Sequence, residues 1–328
     1  MNPKIGALAQ AARSAGLGRL LFFLFHRPLG IIKQSLLEGG PFQQRKTELG
    51  RLEMIDAALR LAPAPARKDE VGAKVQFLSG RHFWYQTVFC FVSLQNVAPF
   101  RITPVIFDDG TLDDETCARI ARVVPWAEFV KESETSDKLA DALPPAKFPT
   151  LWARRRTYVH LRKLVDMHAG QNDWSLVLDS DMLFFRQPVA VLDWFAAPRA
   201  MFMQDICNAY GYSPSLMARL SCEDMLAKVN VGLYGIDRSR IDWELVEYWC
   251  HAQIKEEGAQ YLQEQALTAL ILTQQHAEAL DAREYIVMPR LSEGLIPQGI
   301  LHHYVAHSKR AYYQSTWRRV YAHSNGMI

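Results

Sequence analysis

The order of apolar and polar residues divides the chain into a helical beginning and a longer alternation of strands and helices. Helical periodicity at the start predicts helices over residues 5–26, 29–37 and 45–61. Pro28 separates the first two, because proline cannot continue a helix without losing a backbone hydrogen bond. Alternating Ala and Pro at 62–66 predict a linker. We therefore expect a helical N-terminal arm with its linker at residues 1–66 and a main domain at 67–328.

From about residue 75 the pattern alternates between short apolar runs and helical segments. Strands are predicted at 75–78, 102–107, around 129, 174–178, 200–204 and 231–236. Helices are predicted at 83–95, 113–124, 151–168, 243–255 and 261–274. Such alternation implies an α/β fold whose mostly parallel central sheet is flanked by helices on both faces. The run at 174–178 is apolar enough for a strand buried on both faces.

Charge separates the arm from the main domain. The 37 Lys and Arg residues nearly balance the 35 Asp and Glu residues, and this net charge of +2 argues against a nucleic acid as partner of the whole molecule. Residues 1–46 nevertheless carry seven basic residues against one acidic residue, which is +6, so the remainder carries −4. The apolar run at 20–25 is far shorter than the roughly 20 residues that span a bilayer.

The basic residues of the arm also bear on the cellular compartment that we expect. Arg13 and Arg19 interrupt the one candidate for a secretory signal, so we expect a cytoplasmic protein. Three roles stay open for the arm: it lies on a membrane surface, it packs on the main domain, or it joins two subunits. The five cysteines are scattered and never form a C-x-x-C pair, so we interpret them as reduced core residues.

The first candidate for chemistry is Asp179-Ser180-Asp181, which follows the strand at 174–178 directly. Ligands bind at the carboxyl ends of the strands in an open α/β sheet. Alternate residues of an extended segment point to one side, so both carboxylates can reach a hard divalent cation that shares its oxygen ligands with phosphates. The pattern therefore predicts a metal site that neutralises a diphosphate leaving group.

Several segments between residues 74 and 310 resemble the GT-A glycosyltransferases, and among them glycosyltransferase family 8, a retaining group. Five matches carry the likeness: the segment 105–110, the metal motif at 178–183, the Asn-x-Gly strand at 230–233, the pair Glu264-Gln265, and His303 six residues before Lys309. The resemblance implies the GT-A fold and a hexosyltransferase activity. It leaves the N-terminal arm outside the match.

The resemblance also implies the reactants and the metal ligands. The donor would be a nucleotide-diphospho-sugar, with a UDP-sugar as the first candidate, and the acceptor a glycan or glycolipid. Asp179, Asp181 and His303 would hold Mn²⁺ or Mg²⁺, while Lys309 would bind the diphosphate. Imidazole is a competent ligand for such an ion, and an ammonium group supplies a point charge. The alternative is that His303 and its neighbouring histidines are ordinary polar residues of a C-terminal loop.

Other residues have a functional and a structural interpretation. Asp205 matches a family position at the donor sugar, or it caps a helix near Asn208. Asp108 holds the ribose or shapes a turn. Arg155, the middle one of three consecutive arginines, contacts the donor or lies on a solvated helix face. Asn230 is expected at the donor through its place in the Asn-x-Gly strand.

The stereochemistry depends on the pair Glu264-Gln265. If configuration is retained, Gln265 lies close to the donor sugar and the leaving phosphate accepts the proton of the acceptor. If it is inverted, Glu264 is the candidate general base. A catalytically silent nucleotide-sugar-binding or scaffold protein of the same fold is the other open alternative. A nucleotidyltransferase would need a glycine-rich loop that residues 79–82 do not supply, and a haloacid-dehalogenase-type phosphatase would have Thr or Val in place of Leu183.

Overall fold

The computed structural model describes residues 39–222 and 224–327. Its strands are β1 (Asp69–Ser79), β2 (Arg101–Asp108), β3 (Glu128–Val130), β4 (Trp174–Leu178), β5 (Met182–Phe184), β6 (Met201–Gln204), β7 (Val229–Asp237), β8 (Glu278–Ala279), β9 (Tyr285–Val287) and β10 (Leu301–His303). Its helices are α1 (Pro41–Leu59), α2 (Trp84–Val97), α3 (Asp114–Val123), α4 (Glu132–Ala142), α5 (Pro149–Thr157), α6 (Leu161–His168), α7 (Val189–Ala196), α8 (Pro214–Ser221), α9 (Trp243–Glu257), α10 (Gln263–Gln274), α11 (Leu291–Leu295), α12 (Lys309–Ala311) and α13 (Trp317–Ser324). The helices predicted over 5–26 and 29–37 lie outside the described residues.

Within these residues a seven-stranded sheet, in the order β3-β2-β1-β4-β7-β6-β8, forms the centre of the molecule. Neighbouring strands from β3 to β4 are parallel, β7 is antiparallel to both β4 and β6, and β8 is parallel to β6. In the second sheet, β5-β10-β9, strand β5 is separated from the end of β4 by three residues. The predicted α/β fold with a mostly parallel sheet is confirmed.

Alternate residues of the central strands face two hydrophobic cores. Ile106 and Leu178 belong to a core that α2, α13 and the small sheet close. Phe107 and Val177 belong to a core that α6, α9 and α10 close. Because strand side chains alternate between faces, each core covers one face of the sheet, as expected for an α/β fold.

The described part of the arm packs on the main domain. Helix α1 buries Met54, and the carbonyl of Tyr313 lies so close to Gly50 that an added Cβ would collide with it. Ala64 in the predicted linker donates its amide hydrogen to the carbonyl of Val123 at 2.8 Å. The domain boundary at residue 66 stays a prediction. Among the helices described, none has both the length and the apolar character to cross a membrane.

The structure corrects two sequence expectations. The predicted helix over 151–168 is two helices, α5 and α6, because the chain leaves the helical path between Thr157 and Leu161. The β-branched residues Thr157 and Val159 lower helix propensity at this point. Cys207 and Cys222 are exposed rather than buried, since they lie between β6 and β7 on the surface.

We predict that Gly50→Ala lowers the melting temperature by several degrees. The added methyl group must displace the backbone of residue 313, and overpacking of this kind costs about 1–3 kcal/mol. Lys46→Ala, at an exposed position of α1, is the control and should melt like the wild type. Thermal unfolding by differential scanning fluorimetry measures both. Equal melting temperatures for Gly50→Ala and the wild type would contradict this packing of α1.

Candidate active site

The side chains of Asp179 and Asp181 lie where the two sheets meet. The amide of Asp179 extends the β4–β7 ladder by donating to the carbonyl of Gly232 at 2.7 Å. Two residues later the carbonyl of Asp181 accepts a hydrogen bond from the amide of Tyr304, directly after β10, at 2.9 Å. Backbone hydrogen bonds thus fix the segment at both ends, and they hold the two carboxylates at the carboxyl end of β4.

His303 on β10 lies against both carboxylates, although more than 120 residues separate it from them in sequence. Its Nε2 is 3.1 Å from Asp181 Oδ1 and 3.7 Å from Asp179 Oδ2. The ring is almost fully buried, with 3% of the side chain exposed. The C-terminal histidine predicted as the third ligand therefore comes together with the Asp-x-Asp motif, and it lies on a strand rather than in a loop.

Asn230 and Gly232 on β7 set the orientation of His303. Nδ1 of His303 is 3.0 Å from Asn230 Oδ1, an oxygen that also accepts the amide hydrogen of Gly232 at 2.9 Å. Since the amide oxygen of Asn230 only accepts, Nδ1 donates to it, and Nε2 is the ring nitrogen that faces the carboxylates. Any Cβ at position 232 would collide with the imidazole, so only glycine allows this approach.

Two lysines complete the contacts of the carboxylates. Lys309 Nζ lies 2.8 Å from Asp181 Oδ2, and Lys163 Nζ lies 2.6 Å from Asp179 Oδ1. Lys163 also donates to the carbonyl of Val231 and is buried, with 5% of its side chain exposed. Each carboxylate therefore has a cationic partner from a different helix, α6 for Asp179 and α12 for Asp181.

The mutual effects of these groups on their pKa values show that the site is charged. Burial disfavours charge on Lys163, but the carboxylate of Asp179 reverses this effect and raises the pKa of the lysine. Burial likewise opposes charge on Lys309, and Asp181 raises its pKa. Burial would raise the pKa of the Asp181 carboxyl, but Lys309 and His303 lower it below its usual value. At neutral pH the site therefore holds the Asp181 carboxylate and the two ammonium groups together.

The donor set fits a divalent cation. One ligand atom from each of Asp179, Asp181 and His303 can lie within 4.8 Å of the others. Two carboxylates and one neutral imidazole suit ions such as Mn²⁺, which accept both oxygen and nitrogen ligands. The hydrogen bond from His303 to Asn230 is the kind of outer contact that orients a metal-binding histidine.

The start of α10 brings the predicted pair Glu264-Gln265 to the same region. Gln265 Nε2 donates to the carbonyl of Ala209 at 2.8 Å and lies 3.5 Å from Asp205 Oδ2. The same Asp205 oxygen also accepts a hydrogen bond from Asn230 Nδ2 at 3.0 Å. A continuous chain of hydrogen bonds thus runs from Gln265 through Asp205 and Asn230 to His303.

Glu264 is a buried acid, with only 5% of its surface exposed. Burial raises the pKa of Glu264 to about 7, against the opposing effect of Lys163. The nearby Asp179 also raises this pKa, so Glu264 lies close to the charged groups of the site. It is therefore the acid of the site whose charge changes near neutral pH.

Arg155 and Asp108, two residues predicted to contact the sugar donor, form hydrogen bonds with other parts of the protein. Arg155 is 5% exposed, and its Nε and Nη2 each lie 2.6 Å from a carboxylate oxygen of Asp166. Asp108 accepts the amide hydrogens of Gly110 and Leu112 at 2.7 and 2.9 Å, so its turn-forming role is confirmed. The contacts of Arg155 and Asp108 with a donor stay predictions.

Sequence analysis missed Lys163, although a signal is present. This lysine stands beside Leu161 and Leu164 on the face of α6 that is buried in the core. A lysine at such a position needs an acidic partner, because an unpaired charge in a core is costly. The helix was predicted as one continuous basic segment, so its buried face was not distinguished.

Comparison with known proteins returns solved structures of glycosyltransferases. A complex of the galactosyltransferase LgtC with donor and acceptor sugar analogues matches at 14% identity and a TM-score of 0.46, over 70% of this chain and 86% of that one. Mouse xyloside xylosyltransferase 1 matches at 10% identity and a TM-score of 0.46, over 70% of this chain and 96% of that one. No protein-family model and no curated protein matches the sequence.

We predict that Glu264→Gln removes a pH-dependent loss of stability. The folded-state pKa near 7 lies above the value of 4.5 expected on unfolding, so the unfolded state loses its proton first as the pH rises. The wild type therefore loses stability between these two values, by up to about 3 kcal/mol. Urea unfolding at about pH 5 and about pH 8 measures the difference between variant and wild type. We expect the free energy of unfolding of the variant, relative to that of the wild type, to be higher at about pH 8 than at about pH 5.

The control for this measurement is Glu134→Gln, at an exposed position of α4. Its free energy of unfolding should follow the wild type at both pH values. A stability difference between Glu264→Gln and the wild type that stays constant with pH would contradict the raised pKa.

Proposed function

We propose that this protein is a metal-dependent glycosyltransferase of the GT-A fold, related to glycosyltransferase family 8. It transfers a sugar from a nucleotide-diphospho-sugar, with a UDP-sugar as the first candidate, to a glycan or glycolipid hydroxyl. The observation that carries the proposal is the cluster of Asp179, Asp181 and His303 at the carboxyl end of β4, beside Lys163 and Lys309. This arrangement provides ligands for a divalent cation and, in the partly exposed Lys309, an ammonium group that can meet an anion.

The residues of the site match the charges of the reaction. Cleavage of the sugar–phosphate bond develops positive charge at the anomeric carbon and negative charge on the diphosphate. When bound to Asp179, Asp181 and His303, a divalent cation neutralises part of the diphosphate charge. Lys309 is 33% exposed in its side chain, so it can exchange Asp181 for a phosphate oxygen. Lys163, which is buried, stays paired with Asp179.

We propose that configuration is retained at the anomeric carbon. Glu264 is buried and accepts a hydrogen bond from Thr268 Oγ1 at 3.2 Å, so it faces its own helix rather than an incoming hydroxyl. Gln265 and Asp205, in contrast, belong to the hydrogen-bond chain that reaches His303. These two side chains are the proposed contacts of the donor sugar, and the leaving phosphate accepts the proton of the acceptor.

We predict that the wild type releases nucleotide from at least one sugar nucleotide and that a chelator abolishes this activity. Asp181→Asn should lower kcat about 10²-fold or more, and His303→Ala should weaken the apparent Mn²⁺ affinity about 10–100-fold. Lys309→Ala should mainly lower kcat, because it loses a charge that stabilises the leaving group. A sugar-nucleotide panel with luminescent detection of released nucleotide measures these effects.

The matched control is Asp281→Asn, an exposed aspartate that pairs with Arg283 and with no residue of the cluster. It should retain wild-type turnover. Full activity in excess chelator or in Asp181→Asn would contradict the metal assignment. Nucleotide binding without release, across the whole panel, would instead indicate a catalytically silent protein of the same fold.

We further propose that the protein works at the cytoplasmic face of a membrane through its N-terminal arm. Residues 1–46 carry a net charge of +6, and the run at 20–25 supplies six large apolar side chains. Each basic residue near an anionic leaflet contributes roughly 1 kcal/mol, and buried apolar side chains add to this. In the described part of the arm, Phe42 and Leu49 on α1 are 78% and 50% exposed and add two apolar side chains.

We predict that the full-length protein sediments with anionic liposomes, less with neutral liposomes, and less at high salt. Replacement of Arg13, Arg19 and Arg27 by serine should reduce the bound fraction severalfold, since three charges are lost. Replacement of the same residues by lysine keeps the charge and is the control. Equal sedimentation of the serine and lysine variants would contradict electrostatic membrane binding and favour packing of the arm on protein.

A further inference from the structure

An aromatic cluster, formed by Tyr158, His160 and Tyr261, has no role in the chemistry described so far. The ring centroids of Tyr158 and His160 are 5.4 Å apart, those of His160 and Tyr261 are 5.4 Å apart, and those of Tyr158 and Tyr261 are 6.4 Å apart. Tyr261 is 72% exposed, while the other two rings are partly buried. The cluster therefore exposes the ring of Tyr261 to solvent, and the rings of Tyr158 and His160 pack against it.

This surface is held firmly in place. The hydroxyl of Tyr158 donates to the carbonyl of Tyr261, which ties the break between α5 and α6 to the start of α10. The guanidinium of Arg154 lies 4.1 Å from the centroid of the Tyr158 ring. Arg154 also donates to Gln263 Oε1 at 2.7 Å and to the carbonyl of Gln260 at 2.8 Å. The backbone that carries Tyr261 is thus braced on both sides.

The cluster lies beside the metal ligands. His160 precedes Lys163 by three residues, about one helical turn, and Lys163 contacts Asp179. On the other side Tyr261 precedes Glu264 by three residues, and Glu264 lies among the charges of the site. Burial lowers the pKa of His160, and the nearby carboxylates of the Asp-x-Asp motif oppose this effect. The break between α5 and α6 and the residues just before α10 therefore bring aromatic rings to the edge of the reaction centre.

We propose that Tyr261 and His160 form the binding surface for a pyranose ring of the acceptor. The inference rests on the proposed function and specifies its acceptor as a glycoside. A pyranose presents a face of C–H groups and a rim of hydroxyls. The electron-rich face of Tyr261 receives the C–H face, and the neutral imidazole of His160 can donate to or accept from a hydroxyl.

The test measures binding of simple glycosides, independently of turnover. Methyl β-D-glucopyranoside, methyl β-D-galactopyranoside and lactose are titrated, with UDP and Mn²⁺ present, by saturation-transfer NMR. Tyr261→Ala should weaken glycoside binding about tenfold, whereas Tyr261→Trp should retain it because the ring is what binds. Tyr248→Ala removes a tyrosine that is 55% exposed on α9 and is the matched control. It should bind like the wild type.

Three results would overturn the proposal. One is unchanged glycoside binding in Tyr261→Ala, and another is the absence of glycoside binding by the wild type. The third is a loss of UDP affinity in Tyr261→Ala as large as the loss of glycoside affinity, which would make this ring a nucleobase contact. Donor hydrolysis by the wild type, without any glycoside, is measured in parallel. Its absence would count against the proposed function, whereas intact hydrolysis with unchanged glycoside binding would count against the aromatic surface alone.

Discussion

Two carboxylates fixed at the junction of two sheets determine much of the surrounding structure. Backbone hydrogen bonds on both sides hold the segment that carries Asp179 and Asp181, and the two side chains are only partly exposed, at 33% and 17%. An unpaired carboxylate in such a place costs several kcal/mol. Lys163, Lys309 and His303 offset that cost, and each comes from a different part of the chain. The need for these partners ties α6, α12 and β10 to the end of β4.

The same constraint organises the uncharged part of the site. His303 can face the carboxylates with Nε2 only if Nδ1 has an acceptor, and Asn230 supplies it. Asn230 is oriented in turn by Asp205, next to Gln265 on α10. The hydrogen-bond chain couples the proposed donor-sugar contacts to the proposed metal ligand. The hydrogen-bond chain needs Asn230 as the acceptor for His303, and it needs glycine at position 232 because a Cβ there would collide with the imidazole. These two needs explain the Asn-x-Gly sequence in β7.

The sequence predicted the part of the site that a single local pattern carries. The apolar run at 174–178 and the Asp-x-Asp after it place the carboxylates, because a buried strand and its carboxyl end are local features. His303 and Lys309 followed from the family resemblance, since no local pattern links them to residue 181. The fold class was predictable for the same reason as the strand, through the alternation of apolar runs and helical segments.

The missed features depend on contacts between distant segments. The three-residue strands β5, β9 and β10 are too short for a periodic signal, and they exist only because they pair with one another. The interruption between α5 and α6 lacks Pro and Gly, and it is held by the contact of Tyr158 with residue 261. Lys163 became visible as a site residue only when α6 was placed against β4 and β7.

The metal site is tested most directly by anomalous diffraction from crystals of the protein grown with Mn²⁺ and UDP. We predict one strong manganese peak in contact with the Asp181 carboxylate and His303 Nε2, and with the UDP diphosphate on its other side. Lys309 Nζ should then have moved from Asp181 towards the phosphate. A manganese peak elsewhere, or bound UDP with no manganese at Asp181 and His303, would contradict it.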